Sequence, residues 1–303
     1  MAVNHVILNL VYLLIFTLSM SVKMDSNASG KIKIMQWNCR SINNKMDRLL
    51  PFLHYHNPDV ISLQSLCRNV FALPKLDGYY YPPITDKRVH YKEELVVIYV
   101  KTNTDFKVID SPAPNENKEG ASCSIQVKTK SKSNINICNI YYPKGCDNLD
   151  TRWLLDVNAN DNWIFTGDFN AHHSNWDYNL SNKNCSLADN LDDSLFVILN
   201  DGSITRISDR SDHNPSVVNL PFTRPRLSPL TTWETCLDSL SSDHLPILIN
   251  IYYDSVRNID EGSTENYNLK KADWETYRRV LSEVDPSSIV SDDVNVYYSN
   301  LST

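Results

Sequence analysis

Several strand-like segments of this chain end at polar residues, and this pattern constrains the fold more than any other sequence feature. Apolar and polar residues alternate along Ile32–Asn38 and Ile135–Tyr141, and the apolar run of Asn162–Asp168 meets a glycine before its final carboxylate. A period of two is typical of β-strands. A further apolar segment, Leu245–Ile251, follows the polar pair Asp243-His244. The polar ends are expected to meet in one place, because catalytic groups concentrate on loops held by a rigid sheet.

Two further segments have the apolar spacing of helices, which favours an α/β protein. They run from Lys45 to His56 and from Leu187 to Leu199, and Asn43-Asn44 could cap the first. A length of 303 residues with 42% hydrophobic content allows a substantial core, in one large domain or two small ones.

Two short strings carry most of the chemical information. They are Gly167-Asp168-Phe169-Asn170-Ala171-His172 and Ser242-Asp243-His244-Leu245-Pro246. Their carboxylates can hold a hard cation or activate water, their amide can orient a reactant, and their imidazole can neutralise a phosphoryl oxygen. Either string alone is more often an ordinary turn. Together with Asn38 and Tyr141 at strand ends, they predict a phosphodiesterase.

Five motifs, in this order, resemble the endonuclease/exonuclease/phosphatase superfamily. The motifs are Gln36-Trp37-Asn38, Asp59–Gln64, Asn139–Pro143, Gly167–His173 and Ser242-Asp243-His244. More narrowly, residues 31–253 resemble the apurinic-type endonuclease domain of jockey-like non-LTR retrotransposons. The segment Tyr267–Glu275 resembles the connector that leads from this domain toward the reverse transcriptase. The resemblance implies an α/β fold, a four-layer sandwich of two packed mixed β-sheets flanked by helices.

The resemblance also implies roles around a DNA phosphate. Asn38 would contact water or phosphate near the metal, and Tyr141 would hydrogen-bond the scissile phosphate. Asp168 would orient or deprotonate the attacking water, and Asn170 would align that water. The implied reaction is in-line hydrolysis that leaves a nick in the target DNA strand.

The implied cofactor is Mg²⁺ or Mn²⁺, since oxygen-rich sites with one or two carboxylates suit such ions. Asp243 would help to hold the cation, together with Asn38, and His244 would neutralise charge on the phosphate in the transition state.

Two departures from the family pattern fall on this machinery. Ser65 stands where the family has the glutamate that is its principal metal ligand, and a neutral hydroxyl cannot replace that carboxylate. Asn219 stands where the family has the aspartate that orients His244. An amide at such a position can favour the wrong imidazole tautomer, which costs roughly ten-thousand-fold in serine-protease triads.

A third departure is the pair Glu93-Glu94, where relatives usually have a glycine-rich loop. Glycine permits backbone conformations that glutamate resists, and this chain has only seven glycines, so other turn positions are expected to have lost theirs. These departures predict a retrotransposon-derived, metal-dependent DNA endonuclease that is weakened or inactive in this copy.

Two alternatives stay open. One is a catalytically dead or domesticated domain that binds nucleic acid without cutting it. The other is a secreted phosphodiesterase or phosphatase of the same superfamily, which would suit the apolar N-terminus.

The charge distribution is compatible with weak DNA binding. The net charge is −7, and residues 254–303 carry ten acidic and five basic side chains, so most of the negative charge lies in this acidic connector. Residues 31–253 are then nearly neutral, which predicts weak, salt-sensitive affinity for DNA. No stable membrane partner and no oligomer are predicted.

The N-terminal segment, residues 1–30, leaves the localisation open. Its fifteen-residue apolar stretch, Val6–Met20, is too short for a comfortable membrane span and is close to a signal-peptide core, although Met1–His5 contains no lysine or arginine. Residues 1–23 would direct the chain to the secretory pathway if they act as a signal. Translation from Met24 would instead give a nuclear or cytoplasmic protein. Seven cysteines without a Cys-x-x-Cys pair favour a reducing compartment.

Overall fold

The computed structural model describes residues 30–42, 44–66, 73–80, 96–113, 120–130, 133–143, 145, 150–177, 186–207 and 214–253. The expectations for the N-terminal segment up to residue 29, for the Glu93-Glu94 loop and for the connector at 254–303 lie outside these residues. Across the described ranges, no helix is both long enough and apolar enough to cross a membrane.

The described elements are twelve β-strands, two α-helices and two short 3₁₀ turns, at Arg152–Leu154 and Ser228–Leu230. In chain order the strands and helices are β1 (Lys31–Asn38), α1 (Met46–His56), β2 (Val60–Gln64), β3 (Tyr79–Tyr80), β4 (Val96–Lys101), β5 (Phe106–Ile109), β6 (Ala121–Lys128), β7 (Asn134–Tyr141), β8 (Trp163–Asp168), α2 (Leu187–Asp193), β9 (Val197–Ile198), β10 (Phe222–Thr223), β11 (Thr231–Thr235) and β12 (Ile247–Tyr252).

The strands form two six-stranded mixed sheets. The first has the order β11-β12-β1-β2-β4-β3 and the second has the order β5-β6-β7-β8-β10-β9. β1 and β2 are parallel, with Asn38 beside Gln64, and β7 and β8 are parallel, with Tyr141 beside Asp168. Because parallel neighbours end at the same edge, each sheet presents the polar ends of two strands together.

Helices cover the outer faces of the sheets, so the fold has four layers. On the first sheet, Leu49 and Leu53 of α1 pack into a buried cluster with Trp37 of β1. On the second, Leu187 of α2 packs into a cluster with Phe165 of β8. A third apolar cluster takes side chains from both sheets and fills the space between them. The four-layer sandwich of two mixed sheets flanked by helices is thus confirmed.

The space between the sheets is apolar at one end and polar at the other. Alternate residues of a strand face the same side, and four strands carry an inward series that begins with Ile or Val and ends with an amide, a phenol or a carboxylate. These inward series are Ile32-Ile34-Gln36-Asn38, Val60-Ser62-Gln64, Ile135-Ile137-Asn139-Tyr141 and Ile164-Thr166-Asp168. The strand pattern in the sequence therefore places a polar site at one end of the core.

Two helix predictions are wrong in detail. The second helix ends at Asp193, because Leu195 takes a left-handed conformation with φ of 58° and Val197–Ile198 pairs with β10. The first helix is not capped by Asn43-Asn44: Lys45 occupies its N-cap position and makes no side-chain cap bond to the helix. The Lys45 ammonium instead donates to the carbonyls of Cys39 and Arg40.

Candidate active site

Asp168 lies at the end of β8, fully buried, at the polar end of the space between the sheets. Gly167 precedes it with φ of +154°, and a Cβ there would lie 1.9 Å from the carbonyl oxygen of Ile140 on β7. Only glycine allows β7 and β8 to approach this closely. Tyr141 is the neighbour of Asp168 on β7 and shares its face of the sheet.

Both carboxylate oxygens of Asp168 accept hydrogen bonds. The Asn38 side-chain amide donates to Oδ2 at 2.6 Å, and the backbone N–H of Asn170 donates to Oδ1 at 3.0 Å. Asn170 does not continue the strand: it lies beyond the end of β8, with φ of +43°. Its side-chain amide turns to the carbonyl of Tyr142, at 2.9 Å. Asn170 therefore fixes the Asp168 carboxylate through its backbone.

The His244 imidazole is buried beside Asp168 and Asp243. Its Nε2 lies 3.7 Å from Asp168 Oδ2 and 3.9 Å from Asp243 Oδ1. Burial lowers the pKa of His244 below its ordinary value, although the two carboxylates act in the opposite direction. Arg206 and Arg40 add to the lowering. The imidazole is thus held neutral, with two acidic groups close enough to stabilise a proton.

Asn219 occupies the other side of the imidazole and keeps the useful tautomer. Its Oδ1 lies 2.9 Å from His244 Nδ1, and its Nδ2 donates to Gln36 Oε1 at 3.4 Å. An amide oxygen only accepts, so Nδ1 carries the hydrogen and Nε2 faces the pocket. The structure therefore does not show the wrong tautomer that was expected from Asn219. Asparagine in place of aspartate removes a negative charge but keeps an oxygen that accepts from His244 Nδ1.

The orientation of Asn219 is set by a chain of buried amides that crosses both sheets. Gln36 Nε2 donates to Gln64 Oε1 at 2.7 Å, and Gln64 Nε2 donates to Asn139 Oδ1 at 2.5 Å. Asn139 Nδ2 then donates to the backbone carbonyls of Leu63 and Val97, at 2.9 and 3.0 Å. Since carbonyls cannot donate, this end of the chain fixes the direction of every amide up to Asn219.

Asp243 is held by two guanidinium groups. Arg40 Nη1 and Arg206 Nε contact the same oxygen, Oδ2, at 2.8 and 3.0 Å, while Oδ1 is buried and accepts no hydrogen bond from the residues that the structure describes. Burial alone would raise the pKa of Asp243, but His244, Arg40 and Arg206 together hold it below its ordinary value. Asp243 is therefore a buried carboxylate whose charge is already balanced by side chains.

Left-handed backbone conformations cluster around these groups. Six non-glycine residues with positive φ lie within four residues of Asn38, Gln64, Asp168 or Asp243: Arg40, Ser41, Ser65, Asn170, Leu240 and Ser241. Each such residue costs free energy that the surrounding structure must offset, and such residues concentrate at functional sites. That glycines were lost at such turns stays a prediction.

The residues present do not fit the magnesium ion that the resemblance implies. Asp168 uses both oxygens for Asn38 and Asn170, and Asp243 uses one oxygen for two arginines. Position 65 offers only a hydroxyl, at the end of β2. Within the described part of the chain, no three His, Cys, Asp or Glu side chains are arranged to hold a metal ion.

The structure brings the sequence-predicted residues together at the polar end of the space between the sheets. Asn38, Asp168, Asn219, Asp243 and His244 are joined by the contacts above. Tyr141 and the backbone of Asn170 adjoin Asp168, while Ser65 follows Gln64, the strand neighbour of Asn38.

Sequence reasoning assigned no role to Arg40, Arg206, Gln36, Gln64 or Asn139. Arg40 could have been found from its position two residues after Asn38. Arg206 lies outside every motif, and only tertiary structure places it at Asp243.

Comparisons with known proteins agree with this geometry. A family model described as endonuclease-reverse transcriptase matches residues 135–248. None of the curated proteins matches the chain. Among solved structures, the endonuclease domain of TRAS1, a telomere-specific non-LTR retrotransposon, is 17% identical with a TM-score of 0.58, covering 73% of this chain and 99% of that one.

Two further nucleases have a similar fold. The AP endonuclease LMAP from Leishmania major is 16% identical with a TM-score of 0.59, covering 76% of this chain and 90% of that one. The 3′-5′ exonuclease NExo from Neisseria meningitidis is 17% identical with a TM-score of 0.54, covering 73% of this chain and 100% of that one. The family model confirms the resemblance noted in the sequence, and the solved structures confirm the fold.

Proposed function

We propose that this domain acts on the phosphodiester of a DNA strand, and that its hydrolytic activity, derived from a retrotransposon endonuclease, is slow in this copy. The observation that carries the proposal is the convergence of Asn38, Asp168 and His244, where one carboxylate oxygen lies 2.6 Å from the amide and 3.7 Å from the imidazole. The family model and the fold shared with DNA-directed nucleases support it.

The side chains of this pocket suit hydrolysis by water. Asp168 can accept the proton of an attacking water, and the bonds from Asn38 and the Asn170 backbone hold its carboxylate in one orientation. His244 can donate from Nε2 to a phosphoryl oxygen once it is protonated, while Nδ1–H stays bonded to Asn219. Tyr141 contributes a phenol beside Asp168. These groups can position the attacking water and donate a proton to a phosphoryl oxygen. Most of the negative charge of the transition state is still left without a balancing cation.

That missing balance is the reason to expect slow turnover. A divalent cation would supply Lewis-acid stabilisation of the phosphoryl oxygen, but the site lacks the carboxylate at position 65 that would hold it. The uncharged Asn219 stabilises an imidazolium less than an aspartate does. Both losses act on the transition state, so they reduce the rate more than the affinity.

A supercoiled-plasmid nicking assay tests the proposal. The full chain is compared with Ser65→Glu, with Asn219→Asp and with the double variant, with and without magnesium. We expect little nicking by the native sequence, and in the double variant a gain of about tenfold or more, since each restored group acts on developing charge. Asp168→Asn in the double variant should lower the rate by about a hundredfold or more.

Two results would contradict the proposal. Fast native nicking that depends on Asp168 would show that Ser65 and Asn219 do not limit the rate. A folded double variant that neither nicks nor binds DNA would remove DNA as the substrate.

A module that binds nucleic acid without cutting it is the second candidate. The pairing of Asp243 with Arg40 and Arg206 favours it, because these cations occupy a carboxylate that metal-dependent hydrolysis would use. DNA binding by the double variant without any nicking would select this function.

A further inference from the structure

We propose that Arg40 and Arg206 form a metal-independent binding site for the DNA phosphodiester. The two arginines lie at Asp243, where a divalent cation would bind if position 65 also carried a carboxylate. The inference rests on the proposed function, since it assumes that DNA is the ligand of this pocket. It specifies how the phosphate is bound.

The first argument is the way in which the two guanidinium groups meet Asp243. Both contact Oδ2, and the Asp243 side chain is only 1% exposed, whereas the side chains of Arg40 and Arg206 are 50% and 35% exposed. The aspartate thus anchors both cations from below and leaves them at the solvent boundary. A guanidinium carries five N–H donors in a planar fork that suits phosphate oxygens, and it is weakly hydrated.

The second argument is the charge of the pocket. Its two carboxylates, Asp168 and Asp243, are balanced by the two guanidinium groups of Arg40 and Arg206. A glutamate at position 65 would make this group of side chains negative, and a phosphodiester would then be repelled unless a cation were bound. With Ser65 the pocket can accept an anion directly. The missing carboxylate at position 65 and the presence of two arginines on Asp243 therefore both make the site less negative.

The third argument is that both arginines are held in place before any ligand arrives. The backbone N–H of Arg40 donates to Asn38 Oδ1 at 3.1 Å, and that of Ser41 donates to the Ser65 carbonyl at 2.7 Å. Arg206 exchanges backbone hydrogen bonds with Ser216, both at 3.0 Å. Its neighbour Ile207 donates to the Asp243 carbonyl at 2.7 Å. Preorganised cations lose little conformational entropy on binding.

The fluorescence anisotropy of a short labelled DNA duplex tests the proposal on the full chain. Binding is measured in EDTA and in magnesium at equal ionic strength. We expect the native Kd to differ by less than about threefold between the two conditions, because no bound metal contributes. Arg40→Gln and Arg206→Gln should each weaken binding in EDTA by about tenfold, the loss of one charge-assisted hydrogen bond.

Three further variants separate this site from its alternatives. Arg152→Gln is the matched control, since Arg152 also pairs with an aspartate, Asp150, but belongs to an exposed pair; it should bind like the native chain. Ser65→Glu should weaken binding in EDTA and make it magnesium-dependent. Asp243→Asn should preserve binding in EDTA, because the amide oxygen can still accept from the two arginines while one negative charge is removed, whereas a metal-bridged phosphate would be lost.

The proposal is overturned if native binding requires magnesium, or if Arg40→Gln and Arg206→Gln bind like Arg152→Gln. Either result leaves DNA as the ligand and so spares the proposed function. Absence of DNA binding by every folded variant, in both conditions, would overturn the proposed function as well.

Discussion

At the scale of single residues, His244 and Asn219 show how a substitution can keep geometry and lose charge. The amide oxygen still accepts from His244 Nδ1, so the ring keeps its orientation and tautomer. The negative charge that would stabilise an imidazolium is absent, and burial lowers the pKa of the ring. The nearest acids that could compensate are Asp168 and Asp243.

The pH dependence of stability follows from that lowered pKa. Below the ordinary histidine pKa of about 6.5, the unfolded chain binds a proton that His244 does not bind in the folded protein. The free energy of unfolding therefore decreases as the pH is lowered, by at most about 1.4 kcal/mol per pH unit. The Asp243 pKa is lowered too, and its contribution is lost only at more acidic pH. His244→Gln should flatten the slope of urea-unfolding free energy between about pH 5 and 7. His54→Gln, at an exposed position of α1, is the control, and an unchanged slope in His244→Gln would refute the prediction.

At the scale of elements, the close pair β7 and β8 carries the site. Gly167 lets the two strands approach so that Tyr141 and Asp168 lie side by side. The glycine was visible in the sequence, but the reason that a glycine is needed there was not. The Ile140 carbonyl that excludes a side chain lies on β7, 27 residues earlier in the chain.

Gly167→Ala should therefore cost more than an ordinary glycine substitution. Its Cβ would meet backbone atoms of Ile140 at 1.9 to 2.9 Å, which cannot yield as a side chain would, and we expect a loss of about 3 kcal/mol or more. Gly78→Ala is the matched control: Gly78 also has positive φ, +81°, but no atom of the described residues lies within 4 Å of the added Cβ, so a loss of about 1 kcal/mol is expected. Equal losses in urea unfolding would show that close approach is not the constraint.

At the scale of the whole molecule, the buried amides link the two sheets to the site. Gln36 and Gln64 belong to the first sheet and Asn139 to the second, and their hydrogen bonds end at Asn219 beside His244. A buried polar group that loses its partner costs free energy. Stability and the orientation of the His244 imidazole thus depend on the same contacts.

Asn139→Leu should destabilise the fold strongly, although the two side chains are similar in size. It leaves Gln64 Nε2 and the carbonyls of Leu63 and Val97 without the partner they have now, at about 3 kcal/mol in total. Ile137→Val, two residues earlier on the same face of β7, removes one buried methyl group and should cost only about 1 kcal/mol. Similar midpoints for the two variants in thermal unfolding would show that the amide chain adds no stability.

The sequence by itself determined the strands β1, β7, β8 and β12, the polar ends of the first three and the order of motifs, because alternation and strand-end polarity are local properties. It located Asn38, Asp168, Asp243 and His244 for the same reason. Tertiary structure alone decided that Asn219 presents its oxygen to His244 and that Arg206 joins Arg40 on Asp243. Amide orientation and ion pairing depend on groups that are distant along the chain, so no local pattern could reveal them.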